Sequence, residues 1–175
     1  MGLHHQTRIQ DYPKRYKARL VAKGFTQEYG VDYEETFASV LKHSALRIVF
    51  GLIASLDLET TLLDIKTAFL YGNLDEEIYM SQPEGFLAPR EMEVCKLIKS
   101  IYGLKQAPHV WNARFNEFLV TFGLTRSTAD PCIYYRHKGE EMTILAIFVD
   151  DGLACSNKKK SLQQIIEHLK KESKI

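Results

Sequence analysis

The chain has 175 residues, 45% of them hydrophobic and 26% charged, with a formal net charge of +1. This is ordinary globular composition for one domain with a real core, and there is no run of 18 apolar residues to span a membrane and no apolar stretch after Met1 to act as a signal peptide. The three cysteines, Cys95, Cys132 and Cys155, have no close pair, so they are expected as free, small, buried thiols of a reducing compartment.

Residues 1–16 are expected to be disordered or frayed. Lys17 to Lys23 alternates charged and apolar residues, a strand pattern that Gly24 ends. Residues 31–40 read as an irregular acidic loop. Ser44 to Leu56 is apolar on nearly every turn behind a Ser that could cap it, which predicts a buried helix. Thr60 to Asp64 predicts a strand, Thr67 to Tyr71 a short helical turn, and Glu77 to Gln82 a further strand that Pro83 ends. Pro108 opens a helix with Trp111, Phe115, Phe118, Leu119 and Phe122 at helical spacing, and Gly123 is its stop. Cys132–Arg136 and Thr143–Val149 flank Lys138-Gly139-Glu140 as a hairpin. Leu153–Ser156 makes a third strand through Asp150-Asp151-Gly152. Ser161 is the expected cap of a last helix carrying Leu162, Ile165, Ile166 and Leu169 on one face. The mixture predicts an α+β fold, an antiparallel sheet with helices packed on one face.

Charge is uneven along the chain. Residues 1–24 hold six Lys/Arg against Asp11, residues 57–93 hold nine acids against Lys66 and Arg90, and residues 157–175 hold six Lys against two Glu. Basic ends around an acidic middle fit separate sites for polyanions and cations, and equally a solvated surface with chance clustering.

Four local features can carry chemistry. Ile144 to Val149 runs straight into Asp150 and Asp151, and two adjacent carboxylates at the tip of a buried hairpin repel unless a cation relieves them. Asp-Asp-Gly is also a good turn sequence. Asp64 ends an apolar strand, a rigid place from which to project a ligand, although an Asp there is often a cap. Ile101 to Pro108 leads through Gly103 into a helix start, where backbone can approach an anion, or is an ordinary junction. Lys17, Arg19 and Lys23 lie on one side of a basic strand and could hold phosphate, or face solvent.

Taken in order, these features resemble the reverse transcriptases of copia-type retrotransposons. The resemblance runs from about Lys17 to Ile175. It rests on residues 17–27 (KARLVAKGFTQ), 32–37 (DYEETF), 64–69 (DIKTAF), 77–80 (EIYM), 82–86 (QPEGF), 94–97 (VCKL), 102–108 (YGLKQAP) with Trp111-Asn112, 129–132 (ADPC), and 148–151 (FVDD). It implies a fingers and palm domain over 17–175 that stops before the primer-gripping segment and the thumb. It also implies RNA-directed DNA synthesis from deoxynucleoside triphosphates on an RNA or DNA template-primer. Asp64, Asp150 and Asp151, with the carbonyl of Ile65, would hold two Mg²⁺ ions, with Mn²⁺ as a substitute. Phe69 would lie under the sugar and exclude a 2′-hydroxyl, unless it is a core residue. Tyr102 and Gly103 would line the nucleotide pocket and template, Lys105 would sit near the template, and Arg19 with Lys17 or Lys23 would meet the triphosphate. The partners implied are nucleic acid and the rest of a Pol polyprotein (thumb, RNase H, integrase), not a membrane. The location implied is a cytoplasmic virus-like particle, or the nucleus.

Three positions depart from the family pattern: Phe148 stands for Tyr, Ser39 for Pro, and Gly152 for a large aliphatic, which is expected to loosen packing beyond the acids. A second functional class stays open, a relic that folds but is catalytically idle and at most binds nucleic acid. A stand-alone metal phosphoesterase lacks the His-rich ligand set.

Overall fold

The structure, a computed structural model, describes residues 2–4, 16–86 and 94–172. Its centre is a five-stranded antiparallel sheet in the order β3-β9-β8-β7-β6, with β3 Glu59–Asp64, β6 Thr125–Arg126, β7 Ile133–Lys138, β8 Glu141–Phe148 and β9 Asp151–Ser156. Two smaller sheets accompany it: β1 (Gly2–His4) with β2 (Lys17–Arg19), and β4 (Asn73–Ser81) with β5 (Val94–Lys99). The mixed α+β class expected from the sequence is what forms. Within the segment expected to be disordered, residues 2–4 pair with Lys17–Arg19; residues 1 and 5–15 lie outside the described residues.

The expectation of helices on one face needs correction. Helices α2 (Ala107–Thr121) and α3 (Lys159–Glu172) cover one face, where Trp111, Phe115, Leu119, Ile165 and Leu169 meet Leu63, Leu145, Ile147 and Ala154. Helix α1 (His43–Leu56) covers the other, where Val49 with Ala45, Leu52 and Ile53 meets Ile144, Ala146, Leu153 and Cys155. The physical reason is in β8. Its residues 143–147 are buried without a break, and a strand with no polar alternation needs cover on both faces. Helix α1 itself is half-exposed rather than buried, with Ile48 and Phe50 open to solvent.

The helix starts also differ from the reading. Helix α1 begins at His43 without a side-chain cap, and the residue before it, Lys42, is held by Asp130, 88 residues away. The buried Asp130 carboxylate accepts the Lys42 N–H (2.9 Å) and the Cys132 N–H (2.9 Å), so one side chain ties α1 to the start of β7. Ser44 therefore sits inside the helix rather than capping it. Helix α3 likewise starts two residues ahead of Ser161. Helix α2 takes Pro108 in its first turn and ends at Gly123, whose φ of +89° is the left-handed stop that glycine permits.

The cysteines are unpaired; Cys132 and Cys155 are buried, and burial pushes both thiols up to about 11, while Cys95 is half-buried on β5.

Candidate active site

The register of the central sheet sets Asp64 opposite Asp151 and leaves Asp150 on the adjoining turn. Strands β3 and β9 run antiparallel from Glu59 opposite Ser156 to Asp64 opposite Asp151. Directly opposed residues share a face, with Cβ atoms about 4.5–5.5 Å apart. Phe148 pairs with Asp151 across the next strand, so Val149 and Asp150 are the two residues of the hairpin turn. The Ile65 N–H donates to the Asp150 carbonyl at 2.8 Å, which carries the β3 contact one step past Asp64 onto the turn. Residues far apart in sequence thus meet by main-chain register, with Ile65 itself buried beneath them.

All three carboxylates are exposed. Among the described residues no Lys, Arg or His forms an ion pair with any of them. Three acids on one strand tip without a counter-charge are a donor set for a hard divalent cation, since oxygen ligands of like charge repel until one binds. As their side chains stand, no group of three acids, His or Cys among the described residues is drawn close enough to hold an ion.

Two β-branched residues near this tip have left-handed backbone: Val149 in the turn and Thr67 just after Asp64, each with φ +59°. Such conformations cost of order 1–3 kcal/mol each and persist where surrounding structure enforces them. At Val149 the carbonyl accepts the indole N–H of Trp111 at 2.9 Å. Gly152, next along β9, is not a loose point. A Cβ there would meet Ile147 Cδ1 at 3.2 Å and Leu63 Cβ at 3.3 Å, so these neighbours already fill the space that a larger side chain would take.

Thr67 starts the short 3₁₀ turn Ala68–Leu70 that presents Phe69. Phe69 is half-buried, packs against the core, and meets Tyr102 edge-on at 5.2 Å between centroids. All three basic candidates are exposed, and Arg19 also lies over the Tyr102 ring at 5.5 Å. Arg19, Tyr102 and Phe69 therefore form one row.

Gly103 is a point of close backbone approach. Its φ is +94°, and a Cβ would lie 2.2 Å from the Ala22 carbonyl oxygen; a Cβ on Gly24 would lie 1.9 Å from the Gly103 oxygen. The two glycines let the backbones of the basic segment and the 102–106 loop touch, and the Ala22 N–H donates to the Tyr102 carbonyl at 2.8 Å. Lys105 is turned inward. Its ammonium donates to the Gln27 carbonyl (3.0 Å) and the Tyr33 hydroxyl (3.2 Å) and lies over the Tyr33 ring. Its own N–H donates to Gln27 Oε1 at 2.8 Å. The buried Gln106 side chain accepts from Gln27 Nε2 and donates to the Asp32 carbonyl. In the segment before α2, these Lys105 and Gln106 groups bond to residues 27–33.

The structure thus makes two clusters, the acids at the strand tip and the Arg19–Tyr102–Phe69 row, linked through the six residues from Asp64 to Phe69. Sequence reasoning missed Trp111, Gln27, Gln106 and Asp130. Trp111 stood on the apolar face of a helix and in a family motif, and neither signals its bond to a main-chain carbonyl. The others are polar residues whose partners lie 74 to 88 positions away, and no local pattern signals such pairings.

A family model described as reverse transcriptase (RNA-dependent DNA polymerase) matches residues 3–175. The chain is 50% identical over 147 residues to the retrovirus-related Pol polyprotein from transposon TNT 1-94 of Nicotiana tabacum, covering 83% of this chain and 11% of that protein. It is 41% identical over 156 residues to the Pol polyprotein from transposon RE1 of Arabidopsis thaliana, covering 89% and 11%. Against the transposon Ty1-DR4 Gag-Pol polyprotein of Saccharomyces cerevisiae it is 31% identical, covering 89% and 9%. The chain spans about a tenth of the length of these relatives. No solved structure matches it.

Proposed function

The chain belongs to the reverse transcriptase family of copia-type retrotransposon Pol polyproteins, and from this premise we propose that it is the fingers and palm core of an RNA-directed DNA polymerase working by two-metal nucleotidyl transfer. The observation that carries the reading is the register that sets Asp64 opposite Asp151 with Asp150 on the adjoining turn, all exposed and without a cationic partner among the described residues. Because they are exposed and unpaired, their rotamers can change to close around an ion without breaking a contact.

Asp64, Asp150, Asp151 and the Ile65 carbonyl are the groups that would hold Mg²⁺ or Mn²⁺. When bound, such ions acidify a primer 3′-hydroxyl and neutralise charge developing on the α-phosphate of a deoxynucleoside triphosphate. The rest falls to the chain itself. Arg19, steadied over Tyr102, offers a guanidinium to the triphosphate. Phe69, braced against Tyr102, offers a ring edge that a 2′-hydroxyl would meet, which favours deoxynucleotides. Contacts to the template-primer backbone make binding salt-dependent and largely independent of sequence.

The test is primer extension on poly(rA)/oligo(dT) with Mg²⁺ or Mn²⁺, run beside direct Mn²⁺ titration. Wild type should incorporate nucleotide and bind Mn²⁺, and Asp150→Asn should lose both. Equal incorporation by the two would end the catalytic reading. A wild type that neither extends primer nor binds Mn²⁺ would favour the idle module, which the spread of the three carboxylates in the present arrangement keeps as the second reading.

A further inference from the structure

The turn that carries Asp150 is gripped at both of its carbonyls. Ile65 reaches the Asp150 oxygen from β3, and Trp111 reaches the Val149 oxygen from α2. Two-residue hairpin turns with positive φ at the first position strongly favour Gly or Asn there. This chain places Val, a β-branched residue, at φ +59°. The conformation is therefore imposed from outside rather than chosen by the residue itself.

Trp111 is fitted to impose it. The ring is 4% exposed. It stacks on Phe115 at 4.8 Å and lies beside Tyr71 at 6.0 Å, so the packing of α2 fixes where the indole points. An indole has one donor and no acceptor, and this one is spent on the main-chain oxygen of the strained residue. Of the two grips, the Ile65 bond belongs to the sheet register itself. The Trp111 bond is the one that a side-chain change can remove while the sheet stays intact.

We infer that Trp111 is a positioning residue whose indole N–H holds the Val149–Asp150 turn in its left-handed form and so fixes the main chain from which the Asp150 carboxylate, by a rotamer change, joins Asp64 and Asp151 at a divalent cation. This rests on the two-metal reading for its purpose, but not for its mechanics. It separates Trp111 from a core residue that merely satisfies its own N–H. A core role would leave the turn indifferent to the donor, whereas a positioning role makes the need for the donor depend on strain at Val149.

The experiment uses three variants of the full chain: Trp111→Phe, which keeps a ring and removes the donor, Val149→Gly, which removes the strain, and the two combined. Mn²⁺ affinity is read by electron paramagnetic resonance, and hydrogen exchange of the Ile65 amide by nuclear magnetic resonance. Trp111→Phe should weaken Mn²⁺ binding about ten-fold, the scale seen when a group supporting a metal ligand is lost, and should speed exchange at Ile65. Adding Val149→Gly should slow that exchange again and restore affinity to within about three-fold of wild type. If Ile65 in Trp111→Phe exchanges as slowly as in wild type, or if the double variant is as impaired as the single one, the positioning role is overturned. Should exchange follow the expected pattern while wild type and Asp150→Asn bind Mn²⁺ equally weakly, the two-metal reading falls and the hold of Trp111 on the turn stands.

Discussion

Asp64 and Asp151 owe their meeting to main-chain register, whereas Arg19, Tyr102 and Phe69 owe theirs to rings and to a pair of glycines. At the strand tip, the same ladder that builds the central sheet also aligns the acids, residue by residue from Glu59 to Asp64. At the basic junction, the 17–33 segment meets the 102–106 loop through an isolated Val21–Tyr102 bridge, the Gly24–Gly103 contact and a few side-chain hydrogen bonds from Gln27, Lys105 and Gln106. The first arrangement cannot be lost without losing the sheet. The second can come undone while the sheet persists. Under the proposed function that division is useful, because metal ligands need fixed places and a surface that receives nucleotide and template needs to adjust.

The sharpest way to break the comparison is to damage the sheet and ask whether the junction feels it. Leu145 lies in the middle of β8, fully buried between α2, α3 and the flanking strands. Leu145→Ala should cost about 2–5 kcal/mol of global stability through lost burial and the cavity left behind. A urea midpoint measures it, and the Ile65 and Ala22 amides should then exchange together through global unfolding. A cost under 1 kcal/mol would mean that β8 is not the structural centre of the site.

The next variant strikes the junction alone. Gly103→Ala places a methyl 2.2 Å from the Ala22 oxygen at a φ of +94°, a steric and conformational fault of about 1–3 kcal/mol. Expected is rapid exchange at the Ala22 amide and easy proteolysis within 17–37, with the exchange of β8 and β9 amides unchanged. Were the β8 and β9 amides to exchange faster as well, the two regions would be one cooperative unit and the contrast would fail.

These two variants also mark what the chain discloses on its own. Asp150 and Asp151 stand out in the sequence because an apolar run breaks abruptly into paired carboxylates, and Asp64 because it ends another such run; that they lie at one end of the central sheet is the part the structure adds. The order of motifs then identified the family. The same run misled on architecture: residues 144–148 read as one strand of a sheet covered on a single side, although unbroken apolarity signals cover on both. Ser44 and Ser161 looked like caps by local rule, yet α1 has no side-chain cap, and the residue before it, Lys42, is held by Asp130 across 88 residues. The left-handed turn at Val149 was illegible in principle, since a β-branched residue argues locally against positive φ. It took the tertiary bond from Trp111 to show why that conformation is held.

Lys105→Met gives the smallest expected effect and the finest distinction within the junction. The motif resemblance assigns this lysine to the template strand. In the folded chain its ammonium already has the Gln27 carbonyl, the Tyr33 hydroxyl and the Tyr33 ring as partners. Removing a charge that bonds phosphate lowers the slope of log affinity against log salt by about 0.9, through the counterion that is no longer released. Removing a charge that clamps a loop leaves that slope alone and costs about 1 kcal/mol or less in local order. Template binding by Lys105→Met should therefore weaken only modestly, keep the wild-type salt slope, and come with faster exchange across 27–33. A slope reduced by one phosphate, with 27–33 as protected as in wild type, would return Lys105 to the template and leave Gln27 and Gln106 to hold the loop without it.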